Sequence, residues 1–383
     1  MEICLVSNYF PPWRGGIETY TYSLGRLLST MGHTVKVLCA NDPLSAGVYK
    51  VDGVSVRRLW TLRRFYGTPL IPALYWRLML EDVDIIHVNF PNPYNAFVVS
   101  IASKVKGVPA VITWHNDLVP PNRLASLIVA AHDRLVLPLY MPTFAKIIST
   151  SKTYAESSPI MKKYIQRVVV IPNGVDCKRF SPSVDGGSIR ARYGLAGYHV
   201  ILFLGALSRW HGYKGLDTLL HAFAQLKKSH EQVKLLIVGE GALKYEYMRL
   251  SLQLGIRDDC IFAGDVPDME LPEYYAASDV VIVPSKDKSE GFGLVILEAN
   301  ACGKPVIGTN VGGIPSVIHN ELNGLIVPPN DPQDLARAIY RLLRDEGLRV
   351  CMGREGRRLA EKYDWTIIAK ATEEIYEEVL QSR

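Results

Sequence analysis

The strongest constraint on this chain is a series of short apolar runs that lack polar alternation. In the first half they read "EICLVS", "TVKVLCA", "DIIHVN", "PAVITWH", "KIIST" and "VVVIPN". From position 200 the series restarts as "VILFLG", "KLLIVG", "CIFAG", "VVIVPS", "PVIGT" and "GLIVP". Strands with polar residues on neither face belong to parallel sheets covered by helices on both sides. Helical stretches intervene, such as residues 17–31 and 95–106, and Leu216, Leu219, Leu220, Phe223 and Leu226 form a one-sided apolar stripe. Two such series predict an α/β protein of two Rossmann-like domains.

The expected boundaries are 1–172 for the first domain and 173–365 for the second. The last helix, 366–383, carries Ile367, Ile368, Ala371, Ile375 and Val379 on one face and is free to pack on either domain, including back on the first. The break falls in "IPNGVDCKRFSPSVDGGSIRARYG", rich in Pro, Gly, Ser and charge, which reads as a linker. A length of 383 residues agrees with two cores rather than one.

Open parallel sheets bind ligands at the carboxyl ends of their strands, so two facing sheets are expected to hold one in the cleft between them. The first strand ends in "SNYFPPWRGGIETY", where Gly15 and Gly16 precede a helix and leave backbone N–H groups facing outward, a seat for an anion. This is not the Gly-x-Gly-x-x-Gly dinucleotide fingerprint. In the second half "VILFLG" ends in "ALSRWHGYKG", with Arg209 and Lys214 five apart; a guanidinium fork and a point ammonium suit a diphosphate. Two solvated surface cations are the plain alternative.

Strand "VVIVPS" then runs into "KDKSEGFGLVILEANACGKP". A helix starting near Gly293 would present the N–H groups of Gly293, Leu294 and Val295 to a phosphate. Glu298 falls about one turn inside it, between Leu297, Ala299 and Ala301, which read as buried; from there a carboxylate can accept from ribose hydroxyls. Glu290 precedes the helix, on the side where a sugar ring would lie. Flanking a phosphate seat, the two glutamates do not form the facing acid and nucleophile of a glycosidase. "DVD" at Asp82–Asp84 imitates an Asp-x-Asp metal motif, but it enters its strand at the amino end, away from where ligands bind. His87, inside that strand, reads as a satisfied core histidine.

Taken together, Gly15-Gly16, "WHND", "IPNGVDCKRF", Arg209 with Lys214, and Glu290 with Glu298 eight residues beyond resemble the retaining GT-B glycosyltransferases of the glycogen-synthase-like fourth family, in its phosphatidylinositol-mannosyltransferase-like group. The resemblance spans nearly the whole chain in the family's order. It implies two Rossmann-like domains facing across a deep cleft and transfer with retention of configuration. It assigns the donor diphosphate to Arg209 and Lys214, the ribose to Glu298, and hydroxyls of the donor sugar to Glu290. It further places Gly16 against the phosphate from the first domain, His115 beside the transferring sugar, and the backbone at Val266 against the base. No metal or other cofactor is expected, because fixed cations and a helix N-terminus neutralise the leaving group. GDP- and UDP-sugars suit the same clamp.

Charge is unequal between the halves. Residues 1–172 hold 18 basic and 10 acidic side chains, +8, against 25 and 28, −3, in the remainder, which together give the +5 of the chain. That asymmetry suggests an anionic partner for the first half. "VRRLWTLRRFYGTPLIPALYWRLML" mixes Arg57, Arg58, Arg63, Arg64 and Arg77 with Trp60, Phe65, Tyr66, Tyr75 and Trp76, the makeup of a membrane-interface surface. Such a surface favours a lipid or lipid-linked acceptor on an anionic membrane over nucleic acid.

The N-terminus enters a strand pattern without a signal-peptide profile. No stretch reaches the ~18 uncharged apolar residues of a spanning helix; "LASLIVAAHDRLVLPLYMPTF" is interrupted by His132, Asp133 and Arg134. The six cysteines have no Cys-x-x-Cys pair, and those at 4, 39 and 260 lie in apolar runs as small hydrophobes. The expectation is a cytoplasmic protein, peripheral on the cytoplasmic face of a membrane. The rivals are a nucleotide-sugar epimerase of the same architecture, a transferase with a soluble small-molecule acceptor, and a non-enzymatic two-lobed sugar-binding protein. A phosphorylase would need a pyridoxal-phosphate lysine motif, which is not found.

Overall fold

All twelve apolar runs form strands in the computed structural model, which describes every residue except Arg14, Tyr66, Gly67, Val119, Pro121 and Arg383, and only the backbone of Phe65. The chain divides into two compact units, Met1–Asn173 with Trp365–Arg383, and Gly174–Asp364. Each is built on one sheet.

The first unit contains β1 (Glu2–Val6), β2 (Thr34–Ala40), β3 (Gly47–Val51), β4 (Val54–Leu59), β5 (Arg63–Phe65), β6 (Thr68–Leu70), β7 (Ile85–Phe90), β8 (Ala110–Trp114), β9 (Lys146–Ser149) and β10 (Val168–Val170). Eight of them pair in the order β10-β9-β8-β7-β1-β2-β4-β3, parallel except for β3 against β4; β5 and β6 form a separate hairpin. Its helices include α1 (Gly16–Thr30), α2 (Leu74–Leu80), α3 (Pro93–Lys106) and the helical run α4 (Arg123–Thr143). Alternation along β1 fills two cores: Cys4 and Val6 join one with α2, α3 and α4, while Ile3 and Leu5 join the other with α1. Helix α3 begins where the Asn92 side chain accepts the Asn95 N–H and ends at Gly107, whose φ of 65° stops it.

The second unit contains β11 (His199–Leu204), β12 (Val233–Val238), β13 (Cys260–Gly264), β14 (Val280–Val283), β15 (Val306–Thr309) and β16 (Gly324–Val327). They form an all-parallel sheet in the order β13-β12-β11-β14-β15-β16. Chain order reverses between β11 and β14, which is the ligand-binding switch point of such a sheet. Helix α5 (Leu216–Lys227) covers one face with its foreseen apolar stripe, and α6 (Leu294–Ala301) packs on the other. The last helix, α7 (Trp365–Gln381), returns to the first unit, where Trp365, Ile368, Tyr376 and Val379 enter the α1 core.

Three expectations need correction. The stretch read as a linker packs into the second unit from Gly174 onward: Val175, Phe180 and Ile189 are core residues, and Val175 pairs with Asp364. Strands β3 to β6 were not foreseen. The interrupted apolar stretch is one helical run, because a π turn at His132–Val136 carries it past Asp133 and Arg134. By length and composition α4 is therefore long and apolar enough to cross a membrane, with only 22% of its most apolar window buried. The cysteines are all free thiols, and only Cys351 is exposed.

Candidate active site

In the second unit, two strand-end loops meet at the switch point. After β11 the chain makes a 3-10 turn, Arg209–Lys214, and reaches Gly215 at φ 72°, where a Cβ would collide with the carbonyl oxygen of Pro284. That contact lies at the end of β14, so the two loops touch backbone to backbone. The Lys286 N–H donates to the Tyr213 carbonyl at 2.7 Å and fixes their register.

This register brings together two residues 76 positions apart. Lys214 Nζ donates to Glu290 Oε2 at 2.9 Å, and the Ser285 hydroxyl donates to the same oxygen at 3.1 Å. Burial alone would drive the ammonium toward neutrality, but the Glu290 charge and the Tyr213 phenol outweigh it, so the Lys214 pKa is raised. The cation is fixed. The Glu290 carbonyl accepts from the Gly313 N–H at 2.9 Å, and Gly312 at φ 55° passes so close that a Cβ would strike the same carbonyl. Three strand ends therefore hold Glu290.

Helix α6 starts four residues beyond Glu290, after Gly293 at φ 89°. The N–H groups of Leu294 and Val295 in its first turn have no acceptor within the helix, so this end attracts an anion. Leu297, Ala299 and Ala301 are buried, as their pattern required. Glu298 accepts from the Tyr275 hydroxyl at 2.5 Å. Burial raises its pKa to about 7, against the opposing effects of that hydrogen bond and of the Arg179 charge. The two glutamates thus have separate partners, a lysine for one and a phenol for the other. Val266 follows β13 and is buried in the same core as Tyr274 and Tyr275.

Arg209 is not brought to this cluster. Its side chain is 78% exposed and approaches Glu246 at 4.0 Å.

In the first unit, exposed Gly15 and Gly16 form the start of α1. The expected bare N-terminus is partly covered, because the Glu18 carboxyl folds back to where a Cβ at Gly15 would stand. Burial raises the Glu18 pKa to about 7. His115 follows β8 and is 8% exposed. Asn89 donates through Nδ2 to Val6 O and Thr21 Oγ1, which leaves its Oδ1 to accept from His115 Nε2 at 3.0 Å. That network assigns the proton to Nε2 and leaves Nδ1 as an acceptor. Burial lowers the His115 pKa to about 3, so the ring is a neutral dipole at ordinary pH. His87 is a satisfied core histidine between the Tyr376 hydroxyl at 2.5 Å and Thr113 Oγ1 at 2.7 Å. Asp84 accepts the Glu2 N–H at 2.7 Å, at the amino end of the sheet.

Residues 14–179 match the family Glycosyltransferase Family 4, and residues 188–359 match Glycosyl transferases group 1. A D-inositol 3-phosphate glycosyltransferase of Acidothermus cellulolyticus is 33% identical, with 96% of this chain and 87% of that one covered. The chain belongs to the family-4 glycosyltransferases. A GDP-mannose-dependent alpha-(1-6)-phosphatidylinositol monomannoside mannosyltransferase of Mycolicibacterium smegmatis is 29% identical, with 94% of each chain covered. For one relative of higher identity, 38%, the match is confined to 55% of this chain and 51% of that one. The solved structure of a sucrose-phosphate synthase from Thermosynechococcus elongatus superposes with a TM-score of 0.79 at 26% identity, covering 100% of both chains. The fold is that of the GT-B glycosyltransferases.

The basic segment of this glycosyltransferase is used differently from expectation. Arg58 is buried and donates to the Phe10 and Pro11 carbonyls; Arg77 pairs with Glu81 at 2.7 Å, and Arg57 lies 3.6 Å from the same carboxylate. Arg64 pairs with Asp42 and covers the stacked rings of Tyr9 and Trp13. Four of the five arginines thus hold local structure, while Trp60 and Trp76 are exposed. Tyr66 and the side chain of Phe65 lie outside the described residues. Sequence reasoning missed Tyr275, Ser285 and the Gly312-Gly313 turn; only the last left a signal, a Gly-Gly pair two residues after a strand run.

Proposed function

We propose that this glycosyltransferase moves a hexose of the mannose or glucose type from a GDP- or UDP-sugar to a lipid or lipid-linked acceptor at the cytoplasmic face of a membrane, with retention and without a metal ion. The observation that carries the proposal is the Lys214–Glu290 pair beside the α6 N-terminus at the switch point. When the C1–O bond of the donor breaks, its electron pair passes to the diphosphate. A fixed cation and a helix N-terminus aimed at that charge lower the barrier. Glu290, held as the partner of Lys214, is a carboxylate that accepts from hydroxyls of the donor sugar. Glu298 accepts from the ribose, and Val266 lies on the base side. Arg209, exposed in the same loop five residues before Lys214, joins the diphosphate once one is present. Gly15, Gly16 and His115 act in the same reaction, His115 as a neutral acceptor at Nδ1 rather than as a cation.

Mannose and a lipid acceptor draw support from the phosphatidylinositol monomannoside mannosyltransferase relative. Incubation with GDP-mannose or UDP-glucose and phosphatidylinositol vesicles in the presence of a chelator tests the reading. The expected outcome is a glycolipid whose anomeric configuration, read by proton NMR, matches the donor. Conversion of the donor sugar with no acceptor present would identify an epimerase instead, and a product only with added metal would remove the metal-free mechanism.

A further inference from the structure

Lys214 does not stand alone on its turn. The 3-10 geometry of Arg209–Lys214 eclipses side chains three apart, so Ser208, His211 and Lys214 share one face while Arg209 falls on another. The contacts agree with that alignment. The His211 N–H donates to the Ser208 carbonyl at 2.9 Å, and the Ser208 hydroxyl meets His211 Nδ1 at 2.7 Å. The Tyr213 ring centroid lies 6.0 Å from that of the imidazole and 5.4 Å from Lys214 Nζ, so the phenol neighbours both. Arg209, by contrast, is turned toward Glu246.

From this alignment we propose that His211 is a second ligand of the donor diphosphate, its Nε2–H directed to a phosphate oxygen beside Lys214. The Ser208 hydroxyl decides which nitrogen is used. In the neutral ring the hydroxyl donates to Nδ1, and in the charged ring it accepts from the Nδ1–H; both arrangements leave the Nε2–H for a ligand. Nε2 has no partner among the described residues. The charges that act on the ring are Lys214 in its own turn and Glu290 from the loop after β14. Leu243, which faces Gly212 from the chain after β12, carries none, and the Tyr213 phenol, pushed up to about 12, is uncharged. Burial and then Lys214 lower the His211 pKa against the opposing effect of Glu290, so the free ring is neutral at pH 7. A diphosphate brings negative charge to the same face and shifts that balance the other way. The ring then takes up a proton as the donor binds, and its contact becomes charge-assisted. Affinity through His211 therefore rises as pH falls from the raised pKa of the bound state toward the lowered one of the free state. This role rests on the donor-site reading above, and the variants below separate the two.

Calorimetric titration of the full chain with GDP-mannose and with UDP-glucose, at pH 8 and at pH 6, provides the test. His211→Asn keeps a polar atom where Nδ1 stands and loses Nε2; His211→Gln keeps one where Nε2 stands and loses Nδ1. A ring that only braces its turn through Ser208 is replaced better by Asn, and a diphosphate ligand better by Gln. The expected result is a roughly tenfold loss of donor affinity in His211→Asn at pH 6, the effect of one charge-assisted hydrogen bond. His211→Gln recovers most of the affinity at pH 8 and falls behind wild type at pH 6, because a carboxamide takes up no proton. Each variant is compared with wild type at the same pH, so the titration of Glu298 cancels. Circular dichroism confirms that the variants are folded. Wild-type affinity in His211→Asn, or a loss in His211→Gln at pH 8 as large as in His211→Asn, would overturn the role of His211 while a loss in Lys214→Ala left the donor site standing. Wild-type affinity in Lys214→Ala, or no binding of either donor to the wild-type chain, would bring down the donor-site reading and His211 with it.

Discussion

At the residue scale, the ribose role proposed for Glu298 predicts donor binding that is sensitive to pH. A ribose hydroxyl donates best to the ionised carboxylate, whereas burial holds the pKa at about 7 in the free protein. Protonation therefore competes with donor binding as pH falls through 7. Affinity for a nucleotide-sugar, measured calorimetrically, is expected to weaken about tenfold between pH 8 and pH 6, where the ionised fraction falls by that factor. Glu298→Gln should bind weakly throughout and lose the slope; a slope that survives the substitution would assign the effect to another group. The type and place of Glu298 were legible in sequence from a buried pattern on one helix. Its partner was not, because Tyr275 lies 23 residues away and only the packing of the second unit brings the hydroxyl to it. Lys214 and Glu290 show the same limit: each was visible as a strand-end residue, their 2.9 Å contact was not. Arg58 is the opposite case, since a buried arginine whose acceptors are loop carbonyls looks in sequence like any basic surface residue.

At the scale of elements, the twelve strands were readable because parallel strands bury both faces and leave no polar code to misread. Strands β3 and β4 escaped because an edge pair carries polar residues outward, and α4 escaped because a π turn absorbs the charges that seemed to interrupt it. The turn after β15 and the terminal helix allow direct tests. Gly312 and Gly194 both have positive φ, 55° and 63°, but only Gly312 is crowded, by the Glu290 carbonyl. Alanine at either position costs the strain of a left-handed backbone, on the order of 1 kcal/mol. Gly312→Ala should destabilise further in chemical denaturation and also displace Glu290, so its turnover falls while that of Gly194→Ala does not. Equal behaviour of the two would remove the crowding argument. On α7, Tyr376→Phe leaves His87 Nδ1 without its partner inside the sheet, at a cost of about 1–3 kcal/mol. A denaturation midpoint unchanged from wild type would show that the buried pair contributes nothing.

At the scale of the whole molecule, the chain crosses between its two units at Asn173–Gly174 and at Asp364–Trp365. The second unit, Gly174–Asp364, therefore carries the Lys214, Glu290 and Glu298 cluster as one continuous segment, while the first is completed only by the returning α7. The account's central claim concerns the cluster: Lys214, fixed by Glu290 at the switch point, stabilises the departing diphosphate. Steady-state transfer by Lys214→Ala, set beside its thermal unfolding, tests that claim most directly. The account predicts a folded protein whose turnover falls by about two to three orders of magnitude, the loss typical of removing one preorganised charge-stabilising group. Turnover near that of wild type would contradict it.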